Sequence, residues 1–302
     1  MVAQALTPGV EKVTSNRPTV PSSEITTTTT ERTDALRDRI GQISQAAQGQ
    51  VGMTATVLES GESVSLNGNQ RFPMQSVYKL PISMAVLNQV DQGNLKPDQK
   101  IRIEASDIVQ GSQVLDENSQ GKEFSLSELL QYTVSNSDNT ACDILLRLIG
   151  EPQRVTEYLN SLGINDIVVA NTKKELAQDP TVQYRNSATP DAAVVLLRTL
   201  HEGRGLTKSS QALLLQWMTE TRTGLKRIKG LLPEGTVVAH KTGTSSTVNG
   251  VTAATNDVGL VTLPGGQHLA IAVFVSDSQA TDVIREEVIA KVARAVWDEW
   301  SR

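Results

Sequence analysis

Apolar residues recur along this chain with two different periods, and the switch between them outlines the fold. Leu36, Ile40, Ile43 and Ala47 lie on one stripe, which predicts a helix from Asp34 that closes at Gly49. Residues 51 to 58 then read as a strand, with a turn at Glu59-Ser60-Gly61-Glu62 and a second short strand at 63–66. A helix follows Pro73, which suits a first turn, and stops near Gly93. Pro81 falls inside its pattern, so a kink is expected there. Residues 124–223 read as wholly helical between loops. Ser125-Leu126-Ser127-Glu128 forms a capping box, and further helices start at Thr140, Pro152, Pro190 and Ser209. The polar stretch 171–186 has no periodicity and is long for a connection, which hints at function. Strand patterns return at 235–240, 257–263 and 268–276, with a hairpin at Leu263-Pro264-Gly265-Gly266-Gln267, before an amphipathic helix over 281–300.

Strands at both ends and helices between them predict an α/β (α+β) fold: an antiparallel sheet flanked by helices, with an all-helical domain inserted. The α/β part takes in residues 34–72 and 224–302, the helical part residues 73–223, and the active site should lie between the two. Residues 1–33 lack apolar periodicity and carry Pro8, Pro18, Pro21 and the run Thr26 to Thr30, which reads as a disordered leader or linker. Ala3-Gln4-Ala5 has the small-x-small form of a signal cleavage site, without the charged and apolar regions of a secretory signal around it.

Composition narrows the function by exclusion. The chain is 38% hydrophobic and 20% charged, with no apolar run long enough to span a membrane. A formal net charge of −5 disfavours nucleic acid or an anionic membrane as the main partner. Cys142, the single cysteine, sits among Ala141, Ile144 and Leu145 and reads as a buried structural thiol. His201, His240 and His268 are far apart in sequence with no chelating spacing around them, so no metal and no cofactor is expected.

Three short motifs carry the chemistry. In Ser76-Val77-Tyr78-Lys79 the i, i+3 spacing puts a lysine amine on the same helix face as a serine hydroxyl, which needs a proton acceptor to become a nucleophile. Ser137-Asp138-Asn139 falls on a short break between two helices, where side chains can project into a cleft. Lys241-Thr242-Gly243 lies at the end of a predicted strand and offers a charge, a hydroxyl and a glycine that allows close approach. Each is common alone. Together, in this order and spaced by about 60 and then about 100 residues, they are the signature set of class A β-lactamases and penicillin-binding proteins.

Over nearly all of residues 34–300 the chain resembles a class A serine β-lactamase, of the branch that reads His-Lys-Thr-Gly-Thr-Ser (here 240–245) and Ala-Ala-Thr-Asn-Asp (here 253–257). The resemblance implies that Ser76 opens the β-lactam ring and holds the acyl group, with Lys79 as its proton partner. It implies that Ser137 passes a proton to the departing nitrogen and that Asn139 contacts the substrate's amide. Lys241, Thr242 and Thr244 would receive the carboxylate, supported by Arg227, and the backbone N–H groups of Ser76 and Thr244 would form the oxyanion hole. The partner implied is a small β-lactam, met by a monomer in the periplasm or outside the cell.

The family pattern also asks for a glutamate on the long loop to activate the deacylating water. Aligning on Leu176 puts Lys173 in that place, with Glu175 the only nearby acid. A lysine there has the wrong charge for a base, so deacylation is expected to be impaired unless Glu175 or a reshaped loop takes over. No aromatic residue appears in Val109 to Gln113, where the family often places one opposite the nucleophile. The alternatives are a D-Ala-D-Ala peptidase or other penicillin-binding protein, and a non-hydrolytic β-lactam-binding protein.

Overall fold

The computed structural model describes residues 22–301. Its spine is a five-stranded antiparallel sheet, in the spatial order Ser63–Leu66, Gln50–Val57, His268–Ser276, Thr255–Thr262, Val238–Thr244. The central strand is buried on both sides, which explains its unbroken apolar run. Leu269, Ile271, Val273 and Val275 face a core shared with Leu36 and Ile40 of the N-terminal helix and Val288, Val292 and Val296 of the C-terminal helix Asp282–Trp300. Ala270, Ala272 and Phe274, on the opposite face, join a second core with the helices of the middle of the chain. Among those, the helix Lys79–Asp91 is buried along most of its length and packs against Leu126–Ser135 and Asn139–Ile149.

Several elements differ from the sequence reading, each for a local reason. The N-terminal helix spans Ser22–Ser44, so residues 22–33 are helical where a disordered leader was expected. A helix held by buried Leu36 and Ile40 elongates at little cost, and Arg32 ties it to Glu299 across the molecule at 2.6 Å. The rest of the expected leader, with Ala3-Gln4-Ala5, lies outside the described residues. Pro73 is not in a helix but in the two-residue strand Phe72–Pro73, paired with Ser187–Ala188. Pro81 makes no kink, because it occupies the first turn of Lys79–Asp91, where its missing N–H has no helical partner to lose. The segment 124–223 is not wholly helical, since Ile167–Val168 and Ser187–Ala188 pair as strands. The polar stretch after Asn171 folds into the short helix Lys173–Gln178 and a 3-10 turn at Pro180–Tyr184. Lys241-Thr242-Gly243 lies within the edge strand Val238–Thr244 and not past its end.

Ile40, fully buried between the terminal helices and the sheet, should cost about 2–5 kcal/mol when cut to alanine, against within about 0.5 kcal/mol for exposed Asp38→Ala. Urea unfolding of the two variants measures whether the N-terminal helix belongs to the core.

Candidate active site

Ser76 sits in a 3-10 turn, Gln75–Tyr78, that runs directly into the helix beginning at Lys79. The turn is entered through Gln75 at φ +45°, a left-handed conformation that a non-glycine side chain adopts only when its surroundings enforce it. Two contacts supply that enforcement. Asn256 Nδ2 donates to the carbonyls of Pro73 (2.7 Å) and Met74 (3.1 Å). Gly243 lies so close that a Cβ there would stand 2.3 Å from the Met74 carbonyl and 3.2 Å from the Ser76 nitrogen. The glycine therefore lets the edge strand approach the Ser76 backbone. Ser76 is in the first turn, where N–H groups have no helical acceptor, and it faces the strand end that carries Thr244.

Lys79 is fully buried, and its ammonium donates to the Ser137 carbonyl, to Asn139 Oδ1 at 2.9 Å and, more weakly, to Ser137 Oγ at 3.4 Å. None of these bonds goes to Ser76. Lys241, equally buried, donates to Ser137 Oγ at 2.9 Å and to the Thr242 carbonyl at 3.1 Å. Ser137 meets both lysines because it too is left-handed, at φ +56°. Asp138 holds that corner: its buried carboxylate caps the next helix through Ala141 N (2.8 Å) and accepts from Val114 N (2.8 Å) and Leu115 N (3.0 Å). Burial first, with Lys173 as a repelling neighbour, lowers the Lys79 pKa to about 7; burial and the Lys79 charge lower that of Lys241. Lys79 can thus lose its proton near neutral pH.

The wall of the cleft next to Ser76 is built from the edge strand outward. Thr242 Oγ1 bonds Thr223 Oγ1 at 2.6 Å, and Thr244 Oγ1 accepts from Arg227 Nη2 at 2.7 Å. Arg227 is only 6% exposed, so it is no solvated surface arginine. Its Nη1 donates to the carbonyls of Gly243 (3.2 Å) and Asn256 (2.9 Å), and its Nε pairs with Glu286 at 3.2 Å. Arg227 therefore braces the strand and presents Thr244. Behind Lys241 a buried His240 Nδ1 contacts both oxygens of Asp257 at 2.9 Å, and Asp257 also accepts from Ile228 N. A cleft of about 330 Å³ opens beside these groups, lined among others by Gln75, Asn139, Lys173 and Thr244.

The long loop brings Lys173 to this cleft and turns Glu175 away from it. Thr172 caps the short helix and Glu175 closes a capping box, accepting from Thr172 N (2.7 Å) and Thr172 Oγ1 (3.1 Å) while remaining exposed. Asp143 accepts from the backbone of Lys173 (2.8 Å) and Lys174 (2.9 Å). Lys173 Nζ reaches Gln75 Oε1 at 3.0 Å and lies 5.7 Å from the centre of the Tyr78 ring. Burial lowers its pKa. Cys142 is a buried thiol against Tyr78 OH, its pKa pushed up to about 11 by burial.

All eight of Ser76, Lys79, Ser137, Asn139, Lys241, Thr242, Thr244 and Arg227 thus belong to one connected site, with Lys173 on its wall and Glu175 outside it. Asn256, Asp138, Asp143 and Gln75 also build it. Asn256 and Asp138 stood inside motifs already quoted, while Asp143 and Gln75 carried no sequence signal. With a Lys79 pKa near 7, against 10.5 for an exposed lysine, the neutral amine becomes the major form as pH rises through about 7. Single-turnover acylation of Ser76 should therefore rise with a midpoint near pH 7, and stopped-flow rates across pH 5–9 measure it.

Comparison with known proteins agrees with this geometry. Residues 35–300 match the model of the β-lactamase enzyme family. Extended-spectrum β-lactamase PER-1 of Pseudomonas aeruginosa is 41% identical over 89% of this chain and 88% of its own length, and β-lactamase VEB-1 of the same organism is 40% identical over 88% and 91%. The crystal structure of a β-lactamase from Chitinophaga pinensis superposes with a TM-score of 0.85 at 45% identity, covering 87% of this chain and 98% of that one. TLA-3 extended-spectrum β-lactamase gives 0.87 at 42%, covering 89% and 100%. With the Ser76 turn, the Ser137 corner and the Lys241 strand assembled around one cleft, this chain belongs to the class A serine β-lactamases.

Proposed function

We propose that this protein is acylated by β-lactams at Ser76 and releases the acyl group slowly. In the acylation step, neutral Lys79 takes the Ser76 proton as Oγ attacks the ring carbonyl. The oxyanion is held by the N–H groups of Ser76 and Thr244, donors of a kind worth about 2.7–4 kcal/mol each. Ser137, hydrogen-bonded to Lys241 at 2.9 Å, relays a proton to the ring nitrogen as the C–N bond breaks. Lys241, Thr242 and Thr244 receive the substrate carboxylate, with Arg227 fixing Thr244, and Asn139 meets the side-chain amide. Every one of these groups comes from a single chain, which fits a monomer, and the substrate class fits a periplasmic or secreted protein.

Slow release rests on the contact of Lys173 Nζ with Gln75 Oε1, at the place on the loop where the family uses a glutamate. Neither neighbouring carboxylate substitutes for it: Glu175 is engaged in its capping box and Asp143 in capping the helix backbone. Held on Gln75 Oε1 as a hydrogen-bond donor, the Lys173 ammonium offers no lone pair to draw a proton from an attacking water, as a carboxylate would.

Mass spectrometry after mixing with a penicillin should show a covalent adduct on Ser76 that persists for many minutes and is absent from Ser76→Ala. Lys173→Glu should raise turnover by about 10²–10⁴-fold, the span of a general base. An adduct that vanishes within seconds alongside steady hydrolysis overturns slow release. Cleavage of a D-Ala-D-Ala peptide faster than of any β-lactam would instead favour the peptidase reading.

A further inference from the structure

At the far end of the sheet, Glu59, His201 and His268 converge from three elements, each offering a ligand atom within 4.8 Å of the others. We propose that they form a binding site for a zinc-like divalent transition-metal ion, held by one ring nitrogen of each histidine and one Glu59 oxygen, with water completing the shell. It lies far from the catalytic cleft. Thr244 pairs with Thr255 at one end of the neighbouring strand and His268 with Thr262 at the other, seven residues along, or roughly 23 Å.

The donors are held by backbone and not by chance proximity. His268 opens the central strand and its carbonyl accepts from Leu58 N at 2.8 Å, which fixes it beside the turn that bears Glu59. Glu59 accepts from both His268 N and His268 Nδ1 at 2.8 Å. His201 ends the helix Pro190–His201, which packs across this part of the sheet, and its ring centre lies 4.4 Å from that of His268. Two imidazolium rings that close would repel. A metal ion is held by neutral imidazoles, each giving one ring-nitrogen lone pair, so it would take the place of that repulsion. Two imidazoles and a carboxylate are a zinc donor set, and tetrahedral ligation would place the donor atoms roughly 3.4 Å apart. The half-exposed side chains reach that spacing by small rotations, and the Glu59–His268 bond shows that one pair is already closer.

The test is Zn²⁺ titration of the full, untagged chain by calorimetry, paired with thermal unfolding. One Zn²⁺ should bind per chain and raise the melting temperature, since an ion that binds only the folded state stabilises it. His201→Ala and His268→Ala should each weaken binding at least tenfold and abolish the thermal shift. Both should leave Ser76 acylation unchanged, which separates this site from the cleft. His240, buried against Asp257, does not participate. Wild-type protein that binds no Zn²⁺ at micromolar concentration, or a His201→Ala/His268→Ala double variant that binds it as well as wild type, overturns the proposal.

Discussion

Two buried ammonium groups converge on one hydroxyl, and the rest of the site is arranged to make that tolerable. Lys79 and Lys241 are both shielded from water and both donate to Ser137 Oγ, at 3.4 and 2.9 Å. Removing one cation from water costs several kcal/mol unless it is paired, and two facing each other cost more. No carboxylate forms a salt bridge with either among the described residues. Their partners are neutral oxygens: the Ser137 carbonyl, Asn139 Oδ1 and the Thr242 carbonyl. Neutral acceptors satisfy the N–H donors without holding the proton in place, which suits Lys79 to the proposed role of a base near pH 7.

That arrangement depends on backbone held in conformations it would not choose. Gln75 and Ser137, at φ +45° and +56°, are the left-handed hinges that aim Ser76 and the Ser137 hydroxyl inward. Each costs of order 1–3 kcal/mol and persists because neighbouring packing leaves no alternative. Gly243 presses the edge strand onto the Met74–Ser76 backbone, and Asn256 stitches the same segment from the adjacent strand. Arg227 closes the frame by joining both strands to Glu286 of the C-terminal helix. The sheet and the C-terminal helix thus reach the cleft together through Gly243, Asn256 and the Arg227 guanidinium.

On the long loop, helix capping decides where Glu175 and Lys173 point. The Thr172–Glu175 capping box is a local preference that this spacing favours. By satisfying it, the loop engages its only nearby glutamate with the Thr172 N–H and hydroxyl and leaves Lys173 to face Gln75. A third lysine near two others adds to the repulsion that keeps Lys79 weakly basic. The proposed loss of a water-activating base on the loop therefore leaves Lys79 and its neighbours in place.

The sequence by itself determined the strand–helix–strand order, the capping boxes, the three motifs that meet at the cleft and the misfit at Lys173. All of these are local: periodicity, caps and turns depend on residues within a few positions of one another. Pro73 and Pro81 were misread because their roles depend on where a strand partner and a helix start lie, and neither is a local property. Glu175 is the sharper case. Its spacing from Thr172 was visible, but only the folded loop shows that the carboxylate turns toward the cap and away from the cleft. The burial of Arg227 and the meeting of His201 with His268, whose rings come from positions 67 residues apart, were likewise decided in three dimensions. Sheet register and helix packing bring such residues together, and no spacing rule along the chain encodes either.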